Sequence, residues 1–580
     1  MHIQPGEKAP RIPVFLVLGL IAAVLAMVDL APDRTGPGVT CDELYHIGYG
    51  KRLVASALKH GLWNTNSDRI REVYSWTSNG PPVHPPLGNW LLGWTHWIFD
   101  PDPLDLTVLA ITPARFASAL ALGVLVCLVS WFVANQYGMA SGAAAAVATV
   151  LMPRLFGHAH LATLDIFTAL TCTAAVIMVS EAHRRSDSLW WYALAGGVWG
   201  LALLTRFHGL LVGIPIGIWI LWAAQRRRLR ALALWGITGV LTLFVGWPWL
   251  WLNPFGNLRL YIVGSTVRSP IHTFYASQAW NDIAVPWHYP WVTFAVTIPI
   301  GLLVLGAVGV CAALRARPVL FTDTTVTTDT APATRITAAT NTGAAASPDI
   351  GANPREAERR SRSFWLLLGA IVFFLVLFSA PGVPIYDGER LLLPVFPLWA
   401  VFVGMGAKAV VNFPSRRWAV WPASRRWAIV ASFLLLQGLG ILWFRPAWLS
   451  YYNGLVGGLC GAKYLGFEVN YWGDGVTEDL LRQVAERCQE GEVVGFAPSL
   501  APFQAPALVL ASPSLAERQV RLIGWTRDQR PRLLVLYHRR ADLAEVPASI
   551  LDHQPVAEVR RQGIWLARVV ELPPDSEGSR

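Results

Sequence analysis

The stretch CDELYHIGYG, residues 41–50, sets Asp42 and Glu43 side by side just after the apolar run IPVFLVLGLIAAVLAMVDLA. A carboxylate at the edge of such a run can take a proton from a hydroxyl arriving from water, which is general-base work. Its neighbour would orient a reactant, although adjacent side chains need not point the same way. The plain alternative is a pair of acids complementing a helix dipole. More ionisable groups stand at the ends of later apolar runs: His84 in PPVHPPLGNWLLG, His158, His160 and Asp165 in HAHLATLDIF, Arg206 in LLTRFHG, and Asp387, Glu389 and Arg390 in YDGERLLLPVFP. Such groups cost about 2.5–3.5 kcal/mol at mid-bilayer, so those that persist in or near spans usually have work to do. Arg206 and Arg390 present permanently charged planar forks that match phosphoryl oxygens. Snorkelling for Arg206 and an exposed ion pair for Arg390 are the structural alternatives. Asp165 suits a ligand hydroxyl, an arginine partner or a helix cap. His84, flanked by prolines, either contacts a ligand or braces its loop. The carboxylates and imidazoles also suit Zn²⁺ or Mn²⁺, so a divalent metal is an option but not a requirement. The HAH motif adds little, because i and i+2 do not share a helical face.

These groups need a scaffold, and composition says what kind. Of 580 residues, 54% are hydrophobic, only 14% are charged and 28 are Trp, which is a membrane protein's composition. The formal charge of +10 does not mark a nucleic-acid binder, because the arginines cluster in short loops, as topology determinants do. Apolar runs long enough to cross a bilayer fall near residues 12–31, 114–134, 139–155, 160–181, 189–205, 208–224, 231–252, 291–314, 363–380, 392–412 and 427–444. The expected fold is therefore an α-helical polytopic membrane protein of about eleven spans. With the N-terminus inside, HRRSD, QRRRLR, RAR and PSRRWAVWPASRR all fall on the cytoplasmic side. That parity puts Asp42, His158, Arg206, Asp387 and the C-terminal region on one outer face.

Four parts follow. Residues 1–320 form an N-terminal transmembrane part with a functional first outer loop, in which LGNWLLGWTHWIF reads as an interfacial helix presenting Leu87, Trp90, Leu91, Trp94, Trp97 and Ile98. Residues 321–362, rich in Thr, Ala and Pro without apolar period, read as a disordered cytoplasmic linker. Residues 363–445 form a second transmembrane part. Residues 446–580 read as a small soluble α/β domain, with VTEDLLRQVAERCQE helical after Thr477 and RLLVLYH and GIWLARVVEL as strands. It has no GxGxxG turn. The six cysteines make no framework, and a Cys460–Cys488 bridge is one arbitrary pairing. The aromatic stretches GWPWLWLNP and PWHYPW read first as interfacial belts.

The acidic pair of DELYHIGYGKRLV, followed by HPPLG and an amphipathic helix, resembles the protein O-mannosyltransferase family and its bacterial relatives, including the aminoarabinose transferases of lipid A. The resemblance runs over roughly residues 12–445. LATLDIF is similar to the second acidic position, LLTRFHG to the basic residue after a span, and YDGERLLLPVFP to the late Arg-and-Pro segment. The large β-trefoil insertion of the eukaryotic enzymes is missing, and the C-terminal part resembles neither group closely. The resemblance implies a C-type glycosyltransferase that takes a sugar, such as mannose, from polyprenyl phosphate. The acceptor would be a hydroxyl of a protein, lipid or glycan on the extracytoplasmic face of the plasma membrane, with inversion. It implies Asp42 and Glu43 as catalytic groups, with Arg206, Arg390, Asp165, His84 and Asp387 on donor phosphate or sugar. Some aminoarabinose-type relatives are associated with zinc, whereas protein mannosyltransferases are regarded as metal-independent. A transporter or flippase is the alternative, but it calls for charged pairs near mid-membrane and matching halves, and neither pattern is evident. A non-catalytic scaffold is the third reading.

Overall fold

The computed structural model of the protein describes residues 12–62, 65–75, 82–100, 109–185, 188–266, 270–315, 354–501, 503–526, 529 and 531–573. Its first half runs α1 (Ile12–Met27), α2 (Cys41–His60), α3 (Ser67–Tyr74), α4 (Leu87–Phe99), α5 (Ile111–Tyr137), α6 (Met139–Val150), α7 (Pro153–His158), α8 (Asp165–Arg184), α9 (Trp190–Leu203), α10 (His208–Ala223), α11 (Arg228–Gly246), α12 (Trp249–Leu252) and α13 (Pro254–Thr266). A hairpin of β1 (His272–Tyr275) and β2 (Gln278–Asn281) precedes α14 (Tyr289–Thr297), α15 (Ile300–Arg315), α16 (Pro354–Leu377), α17 (Val395–Val411), α18 (Arg416–Ala419), α19 (Ala423–Leu436) and α20 (Leu439–Phe444). The last part holds α21 (Gly458–Tyr464), α22 (Glu478–Arg487), β3 (Val493–Ala497), α23 (Gln504–Ala511), α24 (Pro513–Glu517), β4 (Arg521–Gly524), β5 (Leu533–Tyr537), α25 (Ala548–Leu551), β6 (Pro555–Arg561) and β7 (Ile564–Glu571).

Helices occupy all eleven apolar runs, which is what a backbone without water to bond must do. Among the described residues, Ile111–Tyr137, Asp165–Arg184, Gln225–Gly246, Glu356–Leu377 and Ala423–Phe444 are long and apolar enough to cross a membrane. Pro13–Met27, Met139–Val150, His208–Ala223 and Val395–Val411 are shorter apolar helices. Ile237, Val240 and Leu241 on α11 face outward, as lipid contacts do. Packing inside is close: a Cβ on Gly19 of α1 would lie 2.5 Å from the Gly123 carbonyl oxygen of α5.

The structure alters two of the expected elements. The run at 291–314 is not one span, because α14 and α15 meet at 112°. Pro299 is the cause: it forces Ile298 into extended backbone (φ −98°, ψ 137°) and breaks the helical ladder. The freed main chain finds partners elsewhere. Asn453 Nδ2 donates to the carbonyls of Ala295 (2.7 Å) and Ile298 (2.6 Å), the Asn453 amide donates to Val296 (2.8 Å), and Gln437 Oε1 accepts from the Gly301 amide (2.9 Å). The expected linker 321–362 also ends earlier, since α16 starts at Pro354, supported by Arg360–Glu356 and Arg362–Glu358 pairs one turn apart. Residues 316–353 lie outside the described residues.

The C-terminal α/β layer is a five-stranded sheet of order β4-β3-β5-β7-β6, with β3 parallel to β4 and β5, and β7 antiparallel to β5 and β6. β5 reads LLVLY because a central strand is covered on both faces. Thr477 precedes α22, which buries Leu480, Leu481 and Val484. The layer proper begins there. Residues 446–476, expected within the soluble domain, pack against the helical part instead, with Trp448 against Phe156 and His160. All six cysteines are free, so the Cys460–Cys488 bridge does not form.

Candidate active site

Within the first outer loop, which carries α2, α3 and α4, helices α2 and α4 cross. On α4, Leu91, Trp97 and Ile98 of the expected stripe point outward, Leu87, Trp90 and Trp94 are half-buried, and Gly88, Asn89, Leu92, Gly93 and His96 are buried. The crossing needs glycine on both sides, because a Cβ on Gly93 would lie 2.3 Å from the Gly50 carbonyl oxygen of α2. At that depth Asn89 Oδ1 reaches His46 Nδ1 (2.8 Å), and His84 stacks beside His46 with ring centroids 5.7 Å apart. Burial holds His46 down at about 4, and burial with the Arg206 cation keeps His84 well below its usual value. Both rings are therefore neutral at physiological pH.

The adjacent acids of α2 have parted company. Glu43 is fully buried and accepts from the Thr40 amide (2.9 Å), Thr40 Oγ1 (3.2 Å), Arg115 Nε (2.7 Å) and Nη2 (2.9 Å), and the Ala162 amide (2.8 Å). Arg115 goes on to donate to the carbonyls of Leu30, Pro37 and Gly38. Expected as a second catalytic group, Glu43 instead has the geometry of a structural carboxylate, because its lone pairs are filled by the loop it folds. Asp42 is the open one, with 32% of its side chain exposed and an ion pair to Arg390 Nη2.

Arg390 gathers the remaining acids. Its Nε donates to Asp165 (3.1 and 3.3 Å), its Nη1 to Asp387 Oδ2 (3.2 Å), and its plane lies over the Trp472 ring at 4.2 Å. Arg206 pairs with the same Asp165. Residues from the starts of α2 and α8, the turn before α10 and the turn before α17 thus share one network. The turn before α17 achieves this by taking Asp387 (φ 55°) and Gly388 (φ 63°) through the left-handed region. A Cβ on Gly388 would lie 2.9 Å from Arg154 Nη1.

Glu389 points the other way, into a second buried cluster. It pairs with Arg154, approaches His158 Nε2 (3.4 Å) and accepts from the Tyr471 hydroxyl (3.1 Å). Burial pushes this carboxyl up, but Arg154 and His158 outweigh it and hold it below its usual range. His160 diverges from His158, with Nδ1 on the Phe156 carbonyl (2.8 Å) and Nε2 on Val28 (3.1 Å). Among the described residues no group of three or more His, Cys, Asp or Glu is arranged to hold a metal.

Sequence reading missed Arg115, Arg154, Tyr471, Trp472 and Arg539. A lone arginine in the first turn of the otherwise apolar α5, and another in MPRLFGH, were the available signals. The arrangement as a whole offers a part-exposed carboxylate beside the Arg390 guanidinium, with Arg206 held by the Asp165 that Arg390 also binds, which is equipment for deprotonating a hydroxyl next to a bound anion.

Residues 83–252 match the family described as dolichyl-phosphate-mannose-protein mannosyltransferase. Among solved structures, the chain is similar to ArnT from Cupriavidus metallidurans in the apo state (15% identity, 96% of this chain and 98% of that one, TM-score 0.48) and bound to undecaprenyl phosphate (14%, 96% and 97%, 0.45). It is also similar to the archaeal oligosaccharyltransferase AglB from Archaeoglobus fulgidus in complex with an inhibitory peptide and a dolichol-phosphate (12%, 90% and 69%, 0.44). No curated protein matches the chain in sequence.

Proposed function

We propose that the protein transfers a monosaccharide, a hexose such as mannose, from a polyprenyl-phosphate donor to a hydroxyl of a protein, lipid or glycan on the extracytoplasmic face of the plasma membrane. One observation carries this reading: part-exposed Asp42 is joined to Arg390 and, through Asp165, to Arg206. In the step we infer, Asp42 takes the proton of the acceptor hydroxyl as its oxygen attacks the anomeric carbon. The bond from that carbon to the phosphate oxygen breaks, with inversion. The departing polyprenyl phosphate gains a negative charge, which Arg206 and Arg390 stabilise where it develops. In the resting arrangement Asp165, Asp387 and Asp42 occupy the three nitrogens of Arg390, so phosphoryl oxygens arriving there must displace one of them, and Asp42 is the most accessible. The same event frees Asp42 to act as base. His46 and His84, neutral and side by side, suit sugar hydroxyls.

The test is direct. Purified protein is incubated with a panel of radiolabelled polyprenyl-phosphate sugars and membrane extract, and the destination of the label is followed. Transfer by the wild type and its loss in Asp42→Asn are expected. A wild-type protein that consumes none of the donors refutes the reading.

A further inference from the structure

The C-terminal α/β layer does not merely sit beside the membrane site. The carboxyl end of its central strand, β5, runs straight into His538 and Arg539. β3, β4 and β5 make up the parallel part of this mixed sheet, and the carboxyl ends of parallel strands are where such folds place functional groups. Arg539 Nη1 lies 3.1 Å from Asp387 Oδ1, while the other oxygen of Asp387 takes Arg390 Nη1 at 3.2 Å. One carboxylate therefore bridges two guanidinium groups, one from the sheet and one from the membrane site. Arg539 is itself fixed by Asp542 (2.6 Å) and by the Tyr471 carbonyl. Tyr471 in turn reaches Glu389, and its neighbour Trp472 covers the face of Arg390. The lead-in to the layer is pinned as well, because the Gly38 amide donates to the Asp474 carbonyl (2.8 Å), and a Cβ on Gly38 would strike the Val476 carbonyl at 2.1 Å.

Resting on the proposed glycosyl transfer, we infer that Arg539 is a positioning residue of the membrane site, which sets the orientation of the Arg390 guanidinium through Asp387. Asp387 sits in a left-handed turn, and without Arg539 one of its oxygens faces a buried environment without a counter-charge. The carboxylate would then turn wholly onto Arg390 and rotate the fork away from the donor phosphate. Since Arg539 acts only through the Arg390 fork, its loss should weaken donor binding and also slow departure of the phosphate that Arg390 stabilises, while leaving proton removal by Asp42 untouched. The fork also matters: Arg539 holds Asp387, Asp542 and the Tyr471 carbonyl together, which the single ammonium of a lysine cannot reproduce in full.

The test compares wild type, Arg539→Gln, Arg539→Lys, Asp387→Asn and the Arg539→Gln/Asp387→Asn double variant, with the KM for the donor measured separately from kcat. Thermal unfolding is followed in parallel, and undecaprenyl phosphate is used as a binding probe without turnover. Arg539→Gln should raise the donor KM and weaken undecaprenyl phosphate binding roughly ten- to hundredfold, the worth of the charged Arg390–phosphate contact that is lost, and should lower kcat as well, because that contact strengthens as the phosphate departs. Arg539→Lys should fall between it and wild type. The double variant should be no worse than Asp387→Asn, because the two act in series. Unchanged donor affinity in Arg539→Gln, or additive losses in the double variant, would overturn the inference while leaving the transferase reading intact. A purely structural role would show as a lowered unfolding temperature with undecaprenyl phosphate binding by the folded fraction unchanged, and would also overturn it. A wild type that neither turns over nor binds these lipids would remove the transferase reading and the inference together.

Discussion

Replacing Glu43 by Gln separates the two adjacent acids of α2. Both Glu43 and Arg115 are fully buried, and the carboxylate meets donors on each oxygen. A glutamine amide presents an NH₂ to donors whichever way it is turned, and it leaves the Arg115 cation without its counter-charge. Breaking one partner of such a pair costs about 3–5 kcal/mol. Asp42→Asn breaks a part-exposed pair worth about 0–1 kcal/mol. The expected pattern is therefore crossed: Glu43→Gln unfolds several degrees below wild type while keeping turnover in the fraction that stays folded, and Asp42→Asn unfolds near wild type but loses turnover. A Glu43→Leu/Arg115→Leu double variant should recover only part of the loss, because Arg115 also satisfies three carbonyls of the entry loop. Thermal unfolding in detergent, read by tryptophan fluorescence, together with donor consumption tests all three. A Glu43→Gln protein as stable as wild type would refute the buried-pair argument. One that is stable yet inactive would return Glu43 to the chemistry.

Three further outcomes follow from the geometry. Asp474 is buried, with both carboxylate oxygens lacking a hydrogen-bond partner, and Arg154, Glu389 and Glu43 as its nearest charges. Burial raises it from 3.8 to about 7, so the folded protein keeps a proton that the unfolded chain sheds across that window, and its contribution to stability falls as pH rises from about 4 to 7. Asp474→Asn should therefore raise the unfolding temperature at pH 8 and lose that advantage by pH 4.5; a constant difference would contradict the assignment. Gly93→Ala places a Cβ 2.3 Å from the Gly50 carbonyl, so overpacking should cost about 1–3 kcal/mol in the same unfolding measurement. Arg206→Gln leaves Asp165 paired with Arg390, so the protein should fold, with the donor KM raised on the order of tenfold or more in steady-state kinetics.

Much of this site was legible in the sequence because bilayer chemistry is unforgiving. Asp42, Asp165, Arg206, Asp387 and Arg390 stood out as charges at the margins of oily runs, and they meet in one network. What could not be read was partnership. Glu43 looked like a twin of Asp42 because nothing local says that Arg115, seventy-two positions on, will claim it. Arg154 and Glu389 lie 235 positions apart, and Arg390 and Trp472 come from different parts of the chain. The kink at Pro299 was visible as a proline, yet the hydropathy of residues 291–314 concealed it. The strands and the Thr477 start of α22 were readable because period and capping are local; the particular partners that residues 446–476 find in the helical part were not.

The contacts made by Asn453 bear on how far the α/β layer can move. The layer is tied to residues 446–476 by Glu468, which accepts from the Arg540 and Ala541 amides, so swinging the two away from the membrane together would drag Asn453 out of the kink between α14 and α15 and strip partners from the main-chain carbonyls of Ala295, Val296 and Ile298. Each stranded carbonyl in hydrocarbon costs several kcal/mol. The lead-in that carries the layer is thereby geared to the kink, and in the proposed transfer an acceptor would enter through local rearrangement of side chains at the layer's edge, not by a hinged lifting of the whole roof.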